Sequence, residues 1–502
     1  MNSDPVITAS SLKARLARLD VRQTAALRRR LASSPSDASS RDPALGVIPR
    51  AHPVQVTGNP PVATFPASRG QQRLFFLQVL APESSAYAVP VAFHLRGPLR
   101  VEWLQEALQA VVRRHHSLRT TFSMDSSGIV QRVADDFPIR LEHGSLEGFP
   151  AATLQEEADR RFQEAVSRPF DLEAGPLIRG VLLRIGPAEH LLLMVLHHII
   201  SDGWSRANLL RDLTASYGAR AAGRPADLPP LSLQPADVFA WQTALEAAGG
   251  RSRQEAYWVA ALSGRVTPLD FPAARPRPAM PSFQGDSRRR PLHPGLRTRL
   301  EARAGEEGAT LFMILLAAFG IQLWRETGRP DLVVGTPIAG RPRVELEPLI
   351  GFFVNTLPLP VTIADGVSVR ELLRQVRETT LNAHAHPDVP LDRLVERLAL
   401  PRDPGRHPLV SVVFLIRYPA EAALGLPGIE ATEWPVPTRT SKFDLTLAVE
   451  LSSGAWAAVC EYNTDLFESP RVDRLLASWE SLLEAMADNP DQPVANLIAT
   501  AA

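Results

Sequence analysis

The chain has 502 residues, 45% hydrophobic and 22% charged, enough to bury one large core or two. Its 54 basic and 54 acidic residues cancel, which argues against a global nucleic-acid or membrane footprint. A single cysteine, Cys460, excludes an intrachain disulfide and fits a reducing, cytoplasmic compartment.

Residues 10–31 are basic, with leucines at helical spacing. Residues 33–49 form a Ser/Pro/Asp/Ala linker, and 48–65 has room for two short strands around Gly58-Asn59. The segment 1–62 therefore reads either as a leader without fixed structure or as a helix-plus-hairpin docking segment. Likewise, Arg28–Arg30 reads either as a solvated helix face or as a contact for an acidic partner. The N-terminus lacks the basic-plus-apolar layout of a signal peptide.

The body alternates strands and helices. A strand is expected at 89–95, helices at 101–115 and 152–165, and a hairpin at 177–185 and 190–196 turning at Gly186-Pro187. A helix at 207–218 follows. The Pro-rich crossing 268–281 marks a lobe boundary, giving an N-terminal lobe at 63–265 and a C-terminal lobe at 266–495. The second lobe repeats the pattern, with helices at 296–305, 310–325, 369–384 and 469–487. Its strands are expected at 331–336, 352–359, 409–417, 443–450 and 455–462. The longest apolar run, 311–324, is too short to span a bilayer and reads as a buried helix. The fold class is α/β (α+β), two lobes of mixed sheet with helices on their faces.

The chemistry concentrates in 191–205, LLLMVLHHIISDGWS. An apolar strand stops at His197 and His198, and Asp202-Gly203 follow on a turn. A histidine at the end of a rigid element is well placed to move protons. Successive side chains on a strand point opposite ways, so one histidine of the pair faces any given cavity. Asp202 can accept backbone N–H groups or pair with a buried arginine, and the Gly203 N–H can meet a developing oxyanion. Taken alone, the pattern also fits the end of a structural hairpin. No Cys/His cluster with metal-ligand spacing is visible, and no metal is expected.

Seven stretches in order resemble the motifs of condensation domains from nonribosomal peptide synthesis. They are Ser68-Arg69-Gly70-Gln71-Gln72-Arg73-Leu74-Phe75, Arg114-His115-His116-Ser117-Leu118-Arg119-Thr120, and His197-His198 with Asp202-Gly203. Then come Asp237-Val238-Phe239-Ala240-Trp241, Ile350-Gly351-Phe352-Phe353-Val354-Asn355-Thr356, a weaker His386-Pro387-Asp388-Val389-Pro390-Leu391-Asp392, and Arg402-Asp403-Pro404-Gly405-Arg406-His407-Pro408-Leu409. Ser441-Lys442-Phe443-Asp444-Leu445 matches a further recurrent stretch. The resemblance covers roughly 65–496.

The resemblance implies two chloramphenicol-acetyltransferase-like lobes in a V-shaped pseudo-dimer with a central tunnel. It implies that an acyl, peptidyl or polyketide thioester on a carrier protein is attacked by an acceptor amine or hydroxyl. His198 would orient that nucleophile and accept its proton, and the Gly203 N–H would lie near the thioester oxygen. His197, Asp202, Arg341 and Arg73 would be structural at the site, with Arg341 pairing Asp202 from the other lobe. Trp204, Ser205, Asn355 and Ser411 are the substrate-channel candidates. The protein would need no cofactor of its own, since the carrier supplies the phosphopantetheine arm. An upstream carrier would dock through 1–62, and the chain is expected to be a freestanding monomer, with neither nucleic acid nor membrane as a partner. Two other readings are an elongating domain excised from a multidomain synthetase and a non-catalytic recruitment module. The intact histidine pair sets the chain apart from heterocyclising relatives. The absence of an Asp-Phe-Gly-Trp-Gly motif separates it from plant-type acyltransferases, and Gly203-Trp204-Ser205 departs from the epimerase continuation. His116 stands where the family usually has glutamate, Pro360 where it has arginine, and Ser411 where many members carry glutamine.

Overall fold

The computed structural model describes residues 46–500, apart from 59, 227, 266–268, 270, 273–274, 402, 404, 419–422 and 453–454. The helix expected at 10–31, and with it Arg28–Arg30, lies outside the described residues. In chain order the N-terminal lobe supplies β1 (Gln55–Thr57), β2 (Val62–Pro66), α1 (Arg69–Leu80), β3 (Ala88–Arg96) and α2 (Val101–Arg114). There follow β4 (Thr120–Asp125), β5 (Gly128–Ala134), β6 (Leu141–Ser145), α3 (Ala151–Ser167), β7 (Ile178–Gly186), β8 (Glu189–His197), α4 (Gly203–Ala221), α5 (Pro235–Ala247) and α6 (Ser252–Leu262). The C-terminal lobe supplies β9 (Gly285–Pro291), α7 (Pro294–Glu306), α8 (Leu311–Thr327), β10 (Asp331–Ile338), β11 (Asn355–Thr362), α9 (Val369–Ala385) and α10 (Leu391–Arg397). It closes with β12 (Val412–Arg417), β13 (Glu430–Glu433), β14 (Leu445–Ser452), β15 (Ala455–Asn463), α11 (Ser469–Asp488) and α12 (Val494–Thr500).

Three sheets result, ordered β13-β3-β8-β7-β6, β1-β2-β5-β4 and β11-β10-β12-β14-β15-β9. The expected hairpin is present as antiparallel β7–β8. Strand β8 is apolar along nearly its whole length because it lies centrally, between β3 and β7, and is buried on both faces. Each lobe owns a hydrophobic core, one around β8 and α2 and one around α8 and α11. Helix α8, the apolar run 311–324, is almost wholly buried in the second core, and no single helix of the described residues is long and apolar enough to cross a membrane.

Two features tie the lobes together. Strand β13, from the C-terminal half, adds antiparallel to the edge strand β3 of the N-terminal sheet. Loop 339–353 is stitched onto α4, as described below. The short hairpin expected within 48–65 is observed as β1–β2. It is built into the N-terminal lobe, since β2 pairs along its length with β5. Ile48 is buried, and the Ala51 N–H and the Arg50 guanidinium both reach the Asp237 carboxylate, at 2.7 and 2.9 Å.

Candidate active site

The two histidines diverge where β8 ends. The His197 N–H still donates to Leu177 across the ladder, whereas the His198 N–H donates to the carbonyl of Tyr87 at 2.7 Å and the chain turns into a short 3₁₀ turn. His197 points into the N-terminal core, 1% exposed, between the rings of Tyr87 and Phe170. Its Nδ1 accepts the Ile199 N–H at 3.0 Å, so its proton sits on Nε2, which faces Gln78 Oε1 at 3.4 Å. His198 has the opposite tautomer. Its Nδ1 lies 2.7 Å from the Ser201 carbonyl, which can only accept, so Nδ1 carries the proton and Nε2 keeps a lone pair. Burial, reinforced by the nearby Lys442 ammonium, lowers the His198 pKa to about 4. Burial, with His198 as neighbour, lowers that of His197 to about 3, so both rings are neutral near pH 7.

Asp202 ends the turn by capping α4. Its carboxylate accepts the Ser205 N–H at 2.9 Å, which makes Gly203 the first residue of the helix and starts it four residues before the expected 207. Gly203 is exposed, nothing stands within 4 Å of where a Cβ would project, and its N–H is one of the first-turn donors of α4 that the helix itself does not use. Asp202 also receives a bidentate fork from Arg341, at 2.7 and 3.0 Å, with both side chains almost wholly buried. Its second oxygen takes the Phe353 N–H at 3.0 Å.

Trp204 and Ser205, expected on the substrate channel, direct their polar atoms to this interlobe joint. Trp204 Nε1 donates to the Glu347 carbonyl at 2.8 Å, and Ser205 Oγ accepts the Gly351 N–H at 3.1 Å while lying 2.8 Å from Asp202 Oδ1. Asn208 adds two bonds, to the carbonyls of Glu347 and Leu349. Side chains saturated by protein partners have little left for a substrate.

Three cavities lie along the cleft and share walls. A central one of 590 Å³ is lined by α1, Tyr87, Phe283, His407, Ser411 and Lys442, among others. A smaller one of 120 Å³ shares Arg69, Arg73 and Asp392 with it and reaches Phe352. A third of 430 Å³ shares Phe283. His198 reaches the walls of the first two through its neighbours: its ring meets Phe352, which lines the small cavity, edge-on at 5.3 Å, and its backbone N–H donates to Tyr87, which lines the central one. Arg73 stands 3.8 Å from Asp392, bridging the lobes on the cavity wall. Ser411 lines the central cavity. Asn355 lines the small one, but its amide donates to the Pro387 and Val389 carbonyls, at 3.0 and 2.8 Å, and so anchors a loop.

Sequence reasoning assigns no role to four residues of these walls. Phe352 places its ring on His198. Tyr87 and Phe283 meet edge-on with ring centres 6.3 Å apart, and Phe283 adopts a left-handed backbone, φ 55°. Such strain in a bulky residue is held by its surroundings and gathers at functional sites. Lys442 lies over the Tyr87 ring. Its rarity was a usable signal, because this chain has two lysines in 502 residues.

Residues 63–501 match the family model of the condensation domain, and the chain belongs to that family. It is 39% identical over 434 residues to a linear gramicidin synthase polypeptide of Brevibacillus parabrevis, spanning 86% of this chain and 8% of that protein. It is 37% identical to phosphinothricin tripeptide synthetase PhsC of Streptomyces viridochromogenes, over 97% of this chain and 44% of the other. The chain thus spans less than half the length of these relatives. Among solved structures, the X-domain from teicoplanin biosynthesis superposes with a TM-score of 0.79 at 29% identity, covering 86% of this chain and 96% of that one. The condensation domain of the monacolin K polyketide synthase MokA, at 23% identity and a TM-score of 0.74 over 88% of this chain and 100% of that one, shares the fold.

Proposed function

We propose that the protein joins a carrier-bound acyl, peptidyl or polyketide thioester to an acceptor amine or hydroxyl, forming an amide or ester and releasing the carrier's thiol. The observation that carries this reading is the tautomer of His198. Its Nδ1–H is committed to Ser201, which leaves the Nε2 lone pair for the proton of a nucleophile. Attack on the thioester carbonyl forms the C–N or C–O bond and places charge on oxygen, for which the exposed Gly203 N–H at the start of α4 is a suitable donor. Collapse breaks the C–S bond. A conjugate acid with a pKa of about 4 holds a proton only briefly, so His198 passes it to the departing thiolate. Most of the acceleration comes from alignment of two substrates in the cleft between the lobes.

The carrier is proposed to engage the N-terminal segment. Strand β1 is the open edge of its sheet, with Val54 and Val56 62% and 58% exposed, and an edge of this kind can accept a partner segment as an added strand. A second reading is recruitment without chemistry. It is favoured by one solved relative, the X-domain from teicoplanin biosynthesis, which is known in complex with OxyB.

The deciding experiment is intact mass spectrometry of an acyl-loaded carrier incubated with this protein and a panel of free amines and alcohols, then with a second loaded carrier. Loss of the acyl group with a product that requires His198 establishes condensation onto a soluble acceptor. Transfer only to the second carrier establishes chain elongation. Carrier binding without transfer under any condition supports recruitment.

A further inference from the structure

The central cavity is ringed by charges, and nearly all of them are matched. Arg277 forks onto Asp444 at 2.6 and 2.8 Å, Arg406 meets Asp403 at 2.9 Å, Arg69 meets Glu246 at 3.0 Å, and Arg73 stands 3.8 Å from Asp392. Lys442 differs. Among the described residues no carboxylate lies within ion-pairing distance of its ammonium and no carbonyl accepts from it. Its neighbour is the face of Tyr87, whose ring centre is 5.6 Å from Nζ, and Glu461 acts on it only through space. Removing an ammonium from water costs several kcal/mol unless an opposite charge or acceptors compensate. Lys442 is half-buried on the cavity wall and bears part of that cost, which holds it below the ordinary lysine range.

The other polar groups near it are donors as well. His407, on the same wall, uses Nδ1 to accept the backbone N–H groups of Leu409 and Val410, so its proton is on Nε2. The place is also close to the chemistry. The Tyr87 ring beneath Lys442 stands 6.4 Å from that of His197, and the Tyr87 carbonyl holds the His198 backbone. An anion here is therefore carried by the acceptor or by the acyl chain, near the reacting ends, and not by the phosphate at the carrier end of the arm.

We infer that Lys442 is a specificity-determining residue that receives a carboxylate of one of the two substrates, held over Tyr87 while the reacting end of that substrate lies at His198. This rests on the condensation reading above. The two sources, acceptor and acyl chain, are separated by chemistry. Acceptors are supplied as amino or hydroxy carboxylic acids and as their primary amides, and donors as carrier-loaded ω-carboxyacyl chains and their ω-amides. Transfer is read by intact mass for the wild type, Lys442→Met and Lys442→Arg.

The wild type should prefer the acid over the amide by tenfold or more in kcat/KM on one side, and that side identifies the substrate. Lys442→Met should remove the preference by raising KM for the acid far more than for the amide, and a thermal melt like that of the wild type shows that the variant is folded. Lys442→Arg should keep part of it. Wild-type transfer that does not distinguish acid from amide on either side overturns the assignment, as does a preference that survives Lys442→Met. If the wild type transfers to no acceptor at all, the condensation reading itself fails and this inference falls with it.

Discussion

A single hydrogen bond decides what His198 can do. With Nδ1–H spent on the Ser201 carbonyl, Nε2 is a base only while the ring is neutral. Burial first, and Lys442 second, bring its pKa to about 4. The transfer rate should therefore stay level from pH 8 down to about 5 and fall only as pH approaches the folded value. An acid limb near 6.5 would mean that the ring is not desolvated. Replacing His198 with alanine should cost about 10²- to 10⁴-fold in transfer, with an unchanged circular dichroism spectrum. Gly203 and Gly340 give opposite expectations at the same scale. A methyl on Gly203 meets nothing within 4 Å, so Gly203→Ala should leave stability level or raise it by about 0.4–1 kcal/mol. Transfer should nevertheless drop, because the methyl projects beside the N–H proposed to face the thioester oxygen. At Gly340, φ is +62° and a Cβ would lie 1.8 Å from the Phe353 carbonyl oxygen, so Gly340→Ala should destabilise the fold. Thermal melts set beside transfer rates separate the two cases, and parallel losses at Gly203 would remove its functional role.

The start of α4 is where one element serves both lobes. Asp202 caps the helix, takes the Arg341 fork and binds the Phe353 N–H, while Trp204, Ser205 and Asn208 hold the same loop. Removing one member of a buried pair strands the other charge, so Arg341→Leu should cost about 3–5 kcal/mol in urea unfolding. The double variant Asp202→Asn/Arg341→Leu should be more stable than additivity predicts, and purely additive losses would show that the pair is not coupled. The histidine strand, its hairpin and the apolar helix α8 were legible in the sequence because each carries a dense local signal of period or apolar run. Asp202 opposite Arg341 was legible only through motif resemblance, since 139 residues separate them. The partners of Trp204 and Ser205 are hidden for a related reason: side chains near a helix N-terminus radiate in several directions, and the loop that receives these two comes from the far lobe. Strand β13, Glu-Ala-Thr-Glu, has no apolar alternation at all and is defined by its partner β3. Helix α1 has a local signal as well, since Ser68 and Gln71 form a capping box that marks its start.

Across the described residues, five buried or half-buried histidines lie in the N-terminal core or on the walls where the lobes meet. Burial lowers the pKa of each: His116 and His198 to about 4, His197 and His407 to about 3, and His115 in the same direction against its contact with Asp212. In the unfolded chain all five titrate near 6.5. The folded state therefore binds fewer protons than the unfolded state between 6.5 and the folded values. Stability is complete above 6.5 and is lost as pH falls through that window, at about 1.4 kcal/mol per pH unit for each of His116, His197, His198 and His407, or about 2 kcal/mol each by pH 5, and His115 adds a loss of the same sign. Carboxylates held low by arginines, such as Asp136 and Asp473, keep their charge through this window and add their losses only below it. Acid should thus loosen the joint between the lobes well before it strips the surface ion pairs. Urea midpoints at pH 7.5, 6 and 5 measure this directly. His407→Asn should keep the fold, because an amide oxygen can accept the Leu409 and Val410 N–H groups as Nδ1 does, and it should shallow the pH slope by close to one proton. A midpoint that stays constant from pH 7.5 to 5, or a slope unmoved by His407→Asn, would mean that the histidines at this junction are solvated enough to carry charge.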